Sequence, residues 1–313
     1  MSFAVMSSYD QVGVKEDISD IITNISPTKT PFQTMIGSEG VHQRTHQWQE
    51  DSLIAAGANA AVEGADAPTA VQNATVMRSN TTQILTKTAK VTGTADVTKT
   101  YGRDRELAYQ LGMRSAELKR DLEYAMVGVN AAAVVGSDGV ARSMASYGAM
   151  VDSTVDWVVN GANAGAFGGS TTTPAALYEQ AVLNVAQQLY IDGADPDTLM
   201  VKPADKVIVS SWKSGGGANL TRTNFVDNAA KTIVNSVDVY ESDFGDLRVV
   251  MNRFQLVSTA LVFEPSMWKK LVLRNWFRET LAKTGDSTNV QIVGEFSLKH
   301  RNFKASGLIS NLT

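Results

Sequence analysis

The sequence predicts an α+β protein with a long protruding part, and three observations predict it. Beyond residue 170, short helical and strand patterns follow one another in irregular order, unlike the regular alternation of a doubly wound α/β fold. One unbroken helical pattern of about seven turns occupies residues 103–129. Residues 43–97, ahead of it, are rich in Thr and Ala with few large apolar side chains, so they cannot form a core of their own.

Residues 14–25 place Ile18, Ile21, Ile22 and Ile25 at helical spacing, with Glu16, Asp17 and Asp20 near the amino end, where the helix dipole favours acids. So short a helix is marginal alone. Pro27 biases Ser26 away from helical geometry and ends it. The run Ile25-Ser26-Pro27-Thr28-Lys29-Thr30-Pro31-Phe32 is then expected to stay extended. Residues 42–53 and 75–98 read as antiparallel strands, with Trp48 the one large anchor and Gly93 a bulge or bend. Residues 54–71 between them are Ala/Gly-rich, with single acids at Glu63 and Asp66, and read as a mobile tip. A lone two-stranded hairpin is marginal in water, so this arm is expected to lean on another subunit or to be disordered without one.

In the long helix, Leu107, Leu111, Leu118, Leu122, Ala125 and Val129 share a face, and Arg114/Glu117 and Lys119/Glu123 stand at pairing distance. Arg114 interrupts any coiled-coil seam, so a single strut on the order of 40 Å across a sheet is expected. Residues 134–172 read as a loop-rich link with a short strand at 155–159. Thr173-Pro174 starts a helix that buries Leu177, Ala181, Val182, Val185 and Leu189 and stops at Gly193. A strand at 198–201, a helix at 203–212, a Gly-rich loop at 213–224 and strands at 236–241, 247–252, 260–263 and 291–305 complete the pattern.

Composition narrows the function. The chain has 313 residues, 43% hydrophobic, and a net charge of −4, with no basic stripe for tight nucleic-acid binding. From Glu264 onward, eight Lys/Arg face four Asp/Glu, a mildly basic tail. Ten Trp and Phe residues fall in the last third, where the densest packing is expected. The absence of cysteine excludes disulfides, thiolate zinc sites and a Cys nucleophile. Neither a signal peptide nor an apolar run of membrane-spanning length is present, so a soluble cytosolic chain is expected.

No catalytic constellation emerges. His42 and His46 lie four apart in a strand-like stretch, too far apart there to share an ion, and no third ligand completes a metal site. His300 sits in Lys299-His300-Arg301, where a polar face or interface is expected. Ser214-Gly215-Gly216-Gly217 lacks the Lys and helix start of a phosphate cradle. Glu241, Asp243 and Asp246 surround Gly245 as a strand–strand turn would arrange them. Lys269, Lys270, Arg274 and Arg278 alternate with Trp268, Trp276 and Phe277; a helix burying its aromatics and snorkelling its bases outweighs a single-stranded nucleic-acid site. Catalytic, cofactor and metal residues are therefore expected to be none.

The order of parts resembles the major capsid proteins of tailed double-stranded DNA phages, with the HK97-like fold. Pro27-Thr28-Lys29-Thr30-Pro31-Phe32 is similar to the family's amino-terminal P-x-x-T-P-F signature. Residues 40–101 match its extended loop and 103–129 its spine helix. Ala141-Arg142-Ser143-Met144 resembles a short stretch following that helix, and Thr280-Leu281-Ala282-Lys283-Thr284-Gly285-Asp286 with a strand over 290–309 resembles the return to the peripheral sheet. The resemblance implies an arm (1–39), an extended hairpin loop (40–101), a peripheral domain (102–173 and 281–313) and an axial domain (174–280). It implies a non-enzymatic subunit, assembled in the host cytoplasm, that forms pentamers and hexamers of an icosahedral head around DNA. Portal, scaffold and decoration proteins are the implied partners, with no membrane, and the precursor shell is implied to expand as DNA enters. A cellular compartment shell of the same fold is the alternative; a hydrolase or nucleic-acid-binding module using His300 and the nearby bases is a more distant one.

Overall fold

A computed structural model of the chain describes residues 26–212 and 237–313, apart from 65, 68, 171 and 172. The expected helix at 14–25 and the loop at 213–224 lie outside them. The prolines do not simply hold the chain extended: Pro31 opens a one-turn helix, α1 (Pro31–Met35), because a proline is well suited to a first helical position. Strands β1 (Gly37–Gly40), β2 (Thr45–Glu50), β3 (Val76–Thr81) and β4 (Gln83–Thr92) follow, then the short α2 (Gly93–Val97) where a bulge was expected.

The strut is α3 (Glu106–Val127), 22 residues and so about 33 Å long. Only its carboxyl half is buried. Leu118, Leu122 and Met126 repeat every fourth residue and, with Glu123 and Val127, make the inward face, while Leu107 and Leu111 are half-buried. After β5 (Asp156–Val159) and β6 (Gly165–Phe167) comes α4 (Glu179–Asp192). It starts five residues later than Thr173-Pro174 suggests, and ends at Gly193, whose φ of 87° is the left-handed stop that glycine permits. Next come β7 (Thr198–Val201), α5 (Pro203–Ser211), β8 (Val239–Ser242), β9 (Gly245–Met251) and β10 (Ala260–Phe263). Residues 268–280 are not a helix but β11 (Trp268–Thr280), paired antiparallel with β12 (Ser287–His300). The strand expected over 290–309 divides: a turn closed by Ala305 N–H donating to Asn302 O separates β12 from β13 (Gly307–Ser310).

Two sheets carry the mixed fold. One has four strands in the order β1-β11-β12-β4, with β1 parallel to β11 and the other pairs antiparallel. The other has seven, β6-β5-β13-β10-β7-β9-β8. Its central strands read as unbroken apolar runs because both faces are covered. Alternate side chains go to different cores. Leu199, Val201, Ala260, Val262 and Ile309 meet Val182, Val185 and Leu189 of α4. Met200, Leu261, Phe263 and Leu308 point the other way, into a core shared with α1, α3, Trp268 and Phe296. β2 and β3 form a separate two-stranded hairpin.

Candidate functional site

Phe32 is fully buried, edge-on to Phe263 (5.5 Å), Trp268 (5.9 Å) and Tyr147 (6.0 Å). That gives the proline-flanked motif a physical role: it plants an aromatic anchor where α1, α3 and both sheets meet. The first amides of α1, which have no partner within the helix, need acceptors, and Glu123 of α3 supplies them. Its Oε1 accepts from Phe32 N (2.8 Å) and Asn252 Nδ2 (2.8 Å), and Oε2 from Gln33 N (3.0 Å). Burial pushes the Glu123 carboxyl above the usual carboxylate range, although these hydrogen bonds pull it down. The expected Lys119/Glu123 surface pair does not form, since Glu123 faces inward and Lys119 is exposed.

A second buried carboxylate fixes the base of the hairpin. Glu295 of β12 accepts from the Thr82 hydroxyl (2.7 Å), from Arg274 Nε (2.9 Å) and from the Arg142 guanidinium. Arg142 Nε also donates to Thr82 O (2.9 Å), where the chain passes from β3 to β4. Burial raises the Glu295 carboxyl, but the Thr82 hydroxyl and the two guanidiniums outweigh it and hold the group below the usual range. Two residues earlier, buried Asn80 donates to Leu298 O (2.6 Å) and accepts from Ala145 N (2.8 Å). The stretch Ala141-Arg142-Ser143-Met144 thus supplies a clasp from Arg142 and core packing from Met144.

An aromatic column braces the same base. Tyr147 stacks on Trp268 (4.4 Å), Trp268 on His300 (4.0 Å) and His300 on Phe303 (5.8 Å); Arg78 of β3 caps Phe303 at 4.2 Å. Glu50 of β2 ties the hairpin down, bonding Arg78 Nε (2.8 Å) through one oxygen and Phe303 N (3.0 Å) through the other. Trp48 packs against Phe303 as well. Beyond this base, residues 51–75 contain no helix or strand among those described, and they expose Leu53 (97%), Val62 (79%) and Val71 (72%).

The histidines, acids and aromatics that could carry chemistry are dispersed. His300 is not at a polar face: it is fully buried at the end of β12, its Nδ1 2.8 Å from Met150 O, and burial drives its pKa down to about 3. His46 stacks on Trp48, and His42 is exposed ahead of β2. Among the described residues no group of three His, Asp or Glu side chains stands close enough to hold a metal ion. Glu241, Asp243 and Asp246 surround a β8–β9 turn in which Ser242 pairs with Gly245. On β11, Trp268 is buried, Trp276 packs on Phe296 (4.6 Å) and Phe277 is 40% exposed, so the aromatics do not form one stacking platform. Ser214-Gly215-Gly216-Gly217 lies outside the described residues. Also among them, no helix is long and apolar enough to cross a membrane.

Sequence reasoning missed Glu123, Glu295, Arg78 and Asn80. A signal existed for Glu123, one position after Leu122 and three before Met126, and hence on the apolar stripe. The others depend on contacts between elements separated by 21 to 218 residues of chain, which no local pattern reports.

A planted arm, a hairpin locked at its root, a strut and two sheets define a shell-forming capsid subunit. The chain belongs to the SU10 major capsid protein family, whose model matches residues 5–313. It is 31% identical to the major capsid protein of Escherichia phage Phieco32, over 96% of this chain and 95% of that one. By fold it is similar to the capsid of a native GTA particle (TM-score 0.65, 10% identity, 98% of each chain). It is also similar to the SrpI encapsulin of Synechococcus elongatus PCC 7942 (TM-score 0.53, 9% identity, 93% of this chain and 92% of that one). The HK97-like reading of the fold and the role of phage major capsid protein both stand.

Proposed function

We propose that this capsid subunit closes with copies of itself into pentamers and hexamers of an icosahedral head, using residues 51–75 as its reaching element. One observation carries the reading. A hairpin fixed at its base by Glu295, Arg142, Asn80 and Arg78 presents Leu53, Val62 and Val71, which are exposed among the described residues. Apolar surface held out by a rigid root is what a partner subunit can bury, and weak contacts repeated around a closed shell add through multivalency. Negative-stain microscopy with light scattering of the purified chain, across concentration and salt, tests it. Closed shells or uniform five- and six-membered rings are expected; a strictly monomeric particle even with the cognate scaffold added would overturn it.

The four-stranded sheet with α3 supports a peripheral domain, and the seven-stranded sheet with α4 and α5 an axial one. In this division β5, β6 and β13 belong to the axial domain, which shifts the boundaries expected at 173 and 281. The head holds double-stranded DNA without sequence preference, joins a portal, scaffold and decoration proteins, and assembles in the host cytoplasm. The chain acts without catalysis. A captured enzyme in place of DNA would instead assign it to a cellular compartment.

A further inference from the structure

We propose that the pocket between the arm and the axial domain binds a phosphodiester group of the enclosed DNA through Lys29 and Arg253. The inference rests on the shell reading above and adds a contact site to it. The pocket has a volume of about 420 Å³, and no acidic residue among the described ones lines it. Lys29 and Arg253 both line it, both are exposed, and neither has a hydrogen-bond or ion-pair partner among the described residues. Cations at the other joints of the fold are neutralised: Arg78 by Glu50, Lys87 by Glu117 and Asp121, Lys299 by Glu39.

The two cations are also held in place. Glu123 Oε1 accepts from Phe32 N, three residues after Lys29, and from Asn252 Nδ2, the side chain next to Arg253. One buried carboxylate therefore ties together both lips of the pocket, so little ordering is needed when an anion enters. Pro27, Pro31, Pro203 and Met251 supply rigid apolar walls at the scale of a sugar flanking a phosphate. A container with a net charge of −4 per subunit repels a polyanion. Two exposed cations per subunit, without an ion-pair partner among the described residues, offset that repulsion locally and without base readout, as phosphate contacts do. The face bearing Lys29 and Arg253 is then the inner one.

The test measures binding of a fluorescent 20-base-pair duplex to the purified chain as a function of salt. Lys29→Ala/Arg253→Ala is compared with the wild type and with Lys90→Ala/Lys283→Ala, which removes two exposed cations elsewhere. Each phosphate contact contributes about 0.9 to the slope of log affinity against log salt. The pocket variant is expected to lose roughly 2 from the slope, about tenfold in affinity change between 50 and 200 mM salt, while the control variant keeps it. Equal losses in both variants, or none in the pocket variant, would overturn the proposal. So would displacement of the duplex by inorganic phosphate beyond the effect of chloride at matched ionic strength, which would assign the pocket to free phosphate. Loss of assembly with duplex binding unchanged would assign it to an acidic segment of a neighbouring copy. Microscopy of the same variants keeps the readings apart, since shells that still close leave the capsid role intact.

Discussion

The seven-stranded sheet and the hairpin are stabilised by opposite means. In the sheet, Leu199, Val262 and Ile309 face one core and Met200, Leu261 and Leu308 the other, so the central strands β7, β10 and β13 are buried on both faces within their own chain. The hairpin of β2 and β3 has one large anchor, Trp48, and otherwise depends on charged and polar side chains gathered at its root. Apolar burial on two faces is non-directional and tolerates small shifts. A set of buried carboxylate and amide bonds has one geometry, and it fixes the direction in which a poor core projects. A subunit that must stand firm and also reach has reason to use both.

The largest expected effect comes from the doubly buried region. Phe263→Ala removes a ring that is 0% exposed and packed against Phe32 and Tyr147, and should destabilise the chain by about 3–5 kcal/mol. Urea unfolding followed by tryptophan fluorescence would register it; a loss under 1 kcal/mol would mean that the shared core is loosely packed. At the root, Glu295→Ala should cost about 2–3 kcal/mol, because it strands Arg142 and the Thr82 hydroxyl. Its effect should be local: faster proteolysis between residues 51 and 75 while the seven-stranded sheet stays resistant. Uniform protection there would show that the carboxylate does not hold the hairpin.

The same contrast explains what could be read in advance. Strands 198–201 and 260–263 were legible to the residue because continuous apolar runs between turn signals have few other solutions. The end of α4 was legible from Gly193, where the left-handed conformation names its own residue. β11 was not. Bulges between Val272 and Arg274 and between Arg274 and Phe277 break its period of two, leaving spacings that imitate a helix. His300 looked polar because its neighbours Lys299 and Arg301 are, yet as the last residue of β12 it turns into the aromatic column. The hairpin's pairing was visible; its anchors were not, since Glu295 lies 213 residues from Thr82.

Acid should separate the two buried carboxylates, a smaller effect than deletion. Glu295 titrates lower in the folded chain than its ordinary 4.5, so the stability it supplies is complete above that value and is lost as pH falls through its lower folded pKa. Glu123 has the reverse sign. Its raised folded pKa means that its contribution is most favourable below 4.5 and declines as pH rises through the window up to the folded value, then stays level. Lowering the pH below 4.5 should therefore loosen the hairpin root before the arm. Hydrogen exchange at Thr81 and at Phe32 measures each; simultaneous opening would mean that the two anchors act as one unit.

The smallest effect on the folded subunit should accompany a large one on the shell. Val62 is 79% exposed, so Val62→Ser should change subunit stability by no more than about 0.5 kcal/mol. If residues 51–75 bury their apolar side chains on a neighbour, the loss recurs at every copy, and the concentration needed to assemble should rise severalfold. Light scattering against protein concentration reads that threshold beside an unchanged unfolding curve. An unchanged threshold for Val62→Ser and Leu53→Ser alike would place the contacts elsewhere and leave the hairpin a rigid projection without an apolar grip.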